Sequence, residues 1–419
     1  MQKTRSTASG VNSKSPAKKY SLSRGKNFSS KGRSFSGRRR TGAGSRRSAK
    51  KSVNMDVSNF INKAVPTTGE EIDFVPQNSF SELKIVDILK KNILGRGYKL
   101  LTPIQDETIP HILNGEDIVG LANTGTGKTA AFLIPLIDKV SLNKNERVII
   151  LTPTRELAIQ IEEELRSFVR GMGISSTICV GGTPINRQIT SLRKQNHFVI
   201  GTPGRVMDLI KREVLKLDTF NTIVLDEADR MLDMGFVNDM RFVMDKMPEK
   251  RHTIFFSATM SSNIERLIKD FLNDPINISV KTRATSKNID QDIVRIGGKD
   301  KLHILEKFLS DPEFSKVLVF GRTKYGVEKL SKSLSKLGIK AESIHGNKNH
   351  GQRQRSLKKF KNGEIQVLTA TDVAARGLDI SNVSHVINYE LPETFDDYIH
   401  RIGRTGRGEK VGKALTFVN

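Results

Sequence analysis

Residues 223 to 232 read IVLDEADRML. An apolar, strand-like run ends, and three carboxylates follow within four positions: Asp226, Glu227 and Asp229. Like charges packed this closely repel one another, so the arrangement asks for a cation. A second segment supplies a reason for one. ANTGTGKT, from Ala122 to Thr129, follows the apolar DIVGL and precedes the helical AAFLIPLIDKV. Strand, glycine-rich turn and helix is the setting in which backbone N–H groups cradle phosphates. Thr124, Gly125, Thr126 and Gly127 make the turn, and the helix start adds partial positive charge. Lys128 is expected to reach the β- and γ-phosphates, and Thr129 to offer its hydroxyl to Mg²⁺. Asp226, at its strand end, suits the same ion, partly through water. Glu227 suits a general base that takes a proton from attacking water. Asp229 is expected to accept hydrogen bonds from a neighbouring segment. Ala122 stands where the strict phosphate-loop pattern has glycine.

Such groups need a scaffold that brings strand ends together. RVIILTPT, HFVIGTP, TIVLDEAD and HTIFFSAT read as strands, and KVLVFGRT, AESIHG, IQVLTATD, HVINYEL and KALTFV form a second series. Helical patterns such as TRELAIQIEEELRSFVRG lie between them. Continuous apolar strands alternating with helices imply parallel sheets covered on both faces. The expectation is an α/β chain of two such domains, residues 79–282 and 290–419. Polar residues 283–289 would link them. The last strand comes at the end of the chain, which leaves an open sheet edge or a chain that continues.

The 419 residues carry a net charge of +24, and residues 1–51 hold 16 of the 69 lysines and arginines with no acidic residue. This Ser/Gly/Arg-rich stretch has little to bury, so residues 1–55 are read as a disordered basic tail. Tyr20, Phe28 and Phe35 among its cations suit contact with phosphates and bases. A solvated spacer is the second reading. A transit peptide is the third, opposed by the missing Leu-rich amphipathic pattern. Uninterrupted apolar runs of membrane-spanning length are absent. The single cysteine, Cys179, permits no internal disulfide and is expected to be a buried thiol; this points to a reducing, cytoplasmic setting. The histidines form no cluster with metal-ligand spacing.

At this point the motifs resemble a family. DEAD at 226–229 and ANTGTGKT are joined, in order, by GYKLLTPIQ (97–105), PTRELA (153–158), GG (181–182), TPGR (202–205) and SAT (257–259). VLVFGRT (317–323), ATDVAARGLD (370–379) and HRIGRTGR (400–407) follow. The chain resembles the DEAD-box ATP-dependent RNA helicases of superfamily 2, and its texture is most similar to the bacterial RhlE-type branch. The resemblance implies two tandem RecA-like domains that bind ATP, Mg²⁺ and RNA. It implies that Gln105 reads the adenine edge, Phe80 stacks on the ring, and Asp379 binds the ribose beside Gly377. Arg404 and Arg407 would be arginine fingers. Ser257, Thr259 and His400 would couple the Asp229 region to the second domain. RNA contacts are implied at Pro153, Thr154, Arg155, Gly182, Thr202, Pro203 and Arg205. In the second domain they are implied at Arg322, Gly346, Arg353, Thr371 and Asp372. These would grip the backbone of single-stranded RNA or a short duplex. Where the family usually has glutamine, three positions before Arg353, this chain has His350; that alters the RNA grip or is a neutral replacement.

The activity implied is local RNA unwinding or remodelling of RNA–protein complexes, coupled to RNA-stimulated ATP hydrolysis by a monomer. Ribosomal or RNA-decay complexes are the expected setting, with no membrane. A DNA-directed translocase and a non-catalytic RNA clamp are the alternatives.

Overall fold

A computed structural model of the chain describes residues 60–62, 74, 76, 78–123, 125–280, 289–375, 383–406 and 411–418, all within the unit Val53–Asn419. The basic tail and the expected linker residues 283–288 lie outside the described residues.

Two parallel sheets organise the described residues. The first contains β1 (Ile118–Leu121), β2 (Val148–Leu151), β3 (Ser176–Cys179), β4 (Phe198–Gly201), β5 (Thr222–Leu225), β6 (His252–Ser257) and β7 (Ile276–Ser279). Their spatial order is β3-β4-β2-β5-β6-β1-β7. Every residue of β2, β4 and β5 is buried, because helices cover both faces. One face packs a core around Phe132, Ile150 and Phe256; the other packs one around Ile149, Leu225 and Phe255. Alternation along each strand sends neighbours to opposite cores. Cys179 lies buried in the second of these, and burial pushes its thiol up to about 12.

The second sheet contains β8 (Ile289–Arg295), β9 (Val317–Phe320), β10 (Ala341–Ile344), β11 (Val367–Ala370), β12 (His385–Asn388) and β13 (Gly412–Val418), in the order β10-β11-β9-β12-β13-β8. Two sequence expectations change here. Ile289, counted as linker, is fully buried and opens β8. The last strand, β13, leaves no open edge, since it is flanked by β12 and β8. A strand placed last in the chain need not be last in the sheet.

Parallel strands put all their C-terminal ends on one edge, and ligands of open α/β sheets gather there. The phosphate turn follows β1, Pro153 and Thr154 follow β2, Thr202 follows β4, Asp226 follows β5, and β6 ends at Ser257. The same rule puts Arg322, Gly346 and Thr371 just past β9, β10 and β11.

One buried histidine gives the fold a testable pH limit. His385, at the start of β12, stacks on Phe314 with ring centroids 3.8 Å apart. Burial, aided by Lys413 and opposed by Glu313 and Asp311, pulls its pKa down to about 4. The unfolded chain takes up this proton near pH 6.5 and the folded chain only near pH 4. Stability is therefore full above about pH 6.5 and falls as pH drops towards 4, by roughly 2–3 kcal/mol. His385→Phe should flatten that limb when unfolding is followed across this pH range. An unchanged slope would remove His385 as its source.

Candidate active site and nucleic-acid interface

Gly125 and Gly127 both have positive φ, 87° and 94°, and so bend the turn after β1 back onto the start of helix Lys128–Leu142. A side chain at 127 would press on Gln105 Nε2. The helix has no side-chain cap, so its leading N–H groups are available to an anion. Thr126 Oγ1 donates to Asn123 O at 2.9 Å and steadies the turn. Lys128 is buried and folds back, its Nζ donating to Ala122 O at 2.7 Å. Thr129 is half-buried beside it. Thr124 lies outside the described residues.

Gln105 closes this loop from the side. Its Oε1 accepts from Thr102 N at 2.9 Å and its Nε2 donates to Gly127 O at 3.0 Å. The side chain expected on adenine is here spent on tying the phosphate turn to the start of helix Pro103–Leu113. Phe80 also departs from expectation. It has no exposed surface and meets Tyr98 edge-on, with centroids 5.7 Å apart, so no ring face is open for stacking. Apolar burial claims it first.

The three carboxylates have three environments. Asp226 is 3 % exposed, and its Oδ1 is buried without a hydrogen-bond partner. Burial pushes its carboxyl up to about 7; Lys128 opposes that shift and Glu227 adds to it. A buried, unpartnered carboxylate oxygen near the phosphate turn fits a divalent cation. Glu227 holds a left-handed backbone, φ 53°, and its Oε2 pairs with Arg230 Nη1 at 2.7 Å. Asp229 Oδ2 accepts from Ala258 N and Thr259 N, each at 3.1 Å, and from Thr259 Oγ1 at 3.2 Å. Ser257 Oγ in turn donates to Thr259 O at 2.7 Å. The ends of β5 and β6 are thus joined through Asp229.

Beyond β2 and β4 cationic side chains gather. Thr154, expected on RNA, caps helix Arg155–Phe168 by accepting from Leu157 N, and its hydroxyl proton stays free to donate. The Arg155 guanidinium lies over Gly182, where any side chain would collide with it. Desolvation first, then Arg353 and Arg205, lower its pKa. Thr202 and Pro203 start helix Pro203–Lys211, and Arg205 Nη1 donates to Thr183 O at 3.4 Å. Arg353 and Arg205 disfavour charge on Arg155 while Glu156 favours it, so a further anion here would relieve Arg155.

The second sheet brings some expected residues to its edge and diverts others. Arg353, expected on RNA, pairs with buried Glu156 of the first domain at 3.0 Å, although neither Glu156 oxygen has a well-aligned hydrogen bond. Asp372, also expected on RNA, is held by Arg401 through two bonds of 2.6 and 2.9 Å. Arg401 is buried and also donates to Asn388 Oδ1 and Glu390 O, so the pair is structural. The Thr371 carbonyl accepts from Ala374 and Ala375. Gly346 is exposed, with open space where a side chain would go. Arg322 is exposed and its backbone N–H donates to Glu390 Oε2. His400 is half-buried, and Arg404 is 3 % exposed at the end of helix Phe395–Ile402. His350 opens helix His350–Lys361 with a buried Nδ1 that has no hydrogen-bond partner. Gly377, Asp379 and Arg407 lie outside the described residues.

Sequence reasoning missed Arg230, Arg401 and Glu156. For Arg230 a signal existed: it follows Glu227 by three positions, one helical turn, which places opposite charges together. The other two partners are distant in the chain and left no local trace.

A DEAD/DEAH box helicase domain matches residues 102–267, and a helicase conserved C-terminal domain matches 300–409. A DEAD-box ATP-dependent RNA helicase CshA from Bacillus cereus is 47% identical over 81% of this chain and 65% of its own length. This chain thus spans just under two thirds of that relative. Among solved structures, Saccharomyces cerevisiae Dbp5 bound to RNA and ADP BeF3 is 30% identical, covers 81% of this chain and 89% of its own, and has a TM-score of 0.73. Mss116p bound to ssRNA and AMP-PNP is 28% identical over 85% of this chain and 77% of its own, with a TM-score of 0.75. Both matched domains, the two parallel sheets and the acidic cluster after β5 agree, and the chain belongs to the DEAD-box helicases.

Proposed function

We propose that this chain is an ATP-dependent RNA helicase that grips single-stranded RNA by its backbone and opens short duplexes, working as a cytoplasmic monomer. The observation that carries the reading is the buried, unpartnered Asp226 oxygen beside Lys128 at the phosphate turn. The similarity to Dbp5, itself bound to RNA and ADP BeF3, supports it.

In this reading Lys128 leaves Ala122 O for the β- and γ-phosphates, and the uncapped helix N-terminus meets the same oxygens. Thr129 and Asp226 would hold Mg²⁺, which when bound neutralises charge on the phosphates. Glu227 takes the proton as water oxygen bonds to the γ-phosphorus and the bond to the bridging oxygen breaks. Arg230 keeps the Glu227 side chain turned towards that point. Arg404 and Arg407 would face the γ-phosphate from the second domain. Asp229, through Thr259, carries the state of the site to β6 and, with Ser257 and His400, to the second domain. Arg155 and Arg205 take RNA phosphates, and Gly182 lets the backbone approach. Arg353 would reach RNA only by giving up Glu156.

The test is ATP hydrolysis with and without RNA, with matched DNA, and with a duplex bearing a displaceable strand. RNA-stimulated turnover with strand release is expected. Equal stimulation by DNA would point to a DNA translocase, and RNA binding without turnover to a clamp.

A further inference from the structure

The segment preceding the first sheet packs on the second. Phe60 has no exposed surface and sits in the core formed by Ile289, Phe320, Tyr398 and Ile402. Its ring meets Tyr398 with centroids 4.7 Å apart and planes at 61°. Two residues on, Asn62 pairs antiparallel with Gln291 of β8; the two exchange N–H···O bonds of 3.0 and 2.7 Å. β8 is the edge strand of its sheet, so this bridge covers backbone groups that would otherwise face solvent. Ile61, between them, is exposed, as alternation requires. Tyr398 completes the arrangement by donating from its hydroxyl to Gln291 Oε1 at 2.9 Å.

Tyr398 belongs to helix Phe395–Ile402, which carries His400 and Arg401 and runs directly into Arg404. Phe60 thus packs against the helix through Tyr398 and Ile402. We infer that Phe60 is a positioning residue: the strap 60–62 fixes the height of this helix, and with it the placement of Arg404 towards the nucleotide. Truncating Phe60 leaves a void beside Tyr398 into which the helix can relax. Displacements of this kind, remote from the reacting atoms, can cost up to about 10² in rate. The inference rests on the ATPase reading above, and its test is built to separate the two.

Full-length Phe60→Ala, Phe60→Leu and Asn62→Pro chains are compared with the parent in two ways: kcat and KM for ATP at saturating RNA, and amide hydrogen exchange over residues 395–404. Phe60→Ala should lower kcat on the order of 10- to 100-fold with KM for ATP within about twofold. Exchange across the helix should quicken about tenfold or more. Phe60→Leu, which keeps most of the apolar volume, should recover both. A synthetic peptide of residues 56–66 should restore Phe60→Ala in trans. Asn62→Pro loses one ladder bond and should fall between. A folded Phe60→Ala chain with parental kcat, or a raised KM in place of a lowered kcat, overturns the inference. Should Phe60→Ala fail to fold, parental kcat in Asn62→Pro does the same. If the parent hydrolyses no ATP, the functional reading fails, and the strap is then judged on exchange alone: unchanged exchange refutes it.

Discussion

Glu227→Gln should reduce RNA-stimulated ATP hydrolysis by about 10²–10⁴-fold while nucleotide-dependent RNA binding persists. The amide has nearly the shape of the carboxylate but cannot take the proton of the attacking water. Its carbonyl oxygen can still accept from Arg230 Nη1, which now bonds Glu227 Oε2 at 2.7 Å, so the left-handed turn at 227 need not rearrange. The substitution leaves Lys128, Thr129 and Asp226, the groups proposed to hold phosphate and cation, in place, so nucleotide affinity should change little. Single-turnover hydrolysis and RNA retention with ATP measure the two halves of the expectation. Hydrolysis near the parental rate would assign the base elsewhere. Loss of RNA binding along with turnover would mean that Glu227 shapes RNA binding rather than the reaction.

The phosphate turn and the carboxylates after β5 were legible because their chemistry depends on local spacing. A strand, a few residues and a helix start determine which atoms converge, and parallel-sheet topology then brings the strand ends to one edge. Asp372 shows where that logic stops. Its motif suggested RNA, yet its partner Arg401 lies 29 residues away and takes both carboxylate oxygens. A loop carboxylate reads the same in sequence whether it meets solvent, RNA or a buried arginine. Arg353 repeats the lesson, because its partner Glu156 lies on a helix that packs against the first sheet. Phe80 fails differently, and Phe60 is not singled out by the sequence at all. Each is a single aromatic in a short segment without periodicity, so neither burial nor the core that receives it could be read from pattern.

Arg230 should give one of the larger stability effects of a single substitution in the first domain. It is 1 % exposed, and its partner Glu227 is nearly as buried. Removing one member of such a pair leaves the other charge without its counter-ion, which typically costs about 3–5 kcal/mol. Here the orphan would be Glu227, next to an Asp226 whose own carboxyl is already pushed up by burial and by Glu227. Arg230→Met should therefore lower the unfolding free energy of the first domain by about that amount in urea titrations, and slow ATP hydrolysis as the Glu227 side chain loses its holder. The exposed pair Arg212–Asp208 provides the contrast, with side chains 55 % and 39 % accessible. Arg212→Met should cost less than about 1 kcal/mol, since solvent screens that interaction. Combining Arg230→Met with Glu227→Gln removes the orphan charge, so the double variant should be more stable than the single losses predict, by about 1–3 kcal/mol. Strict additivity would show that Arg230 contributes by packing alone, and the case for Arg230 as the group that aims Glu227 would fall with it.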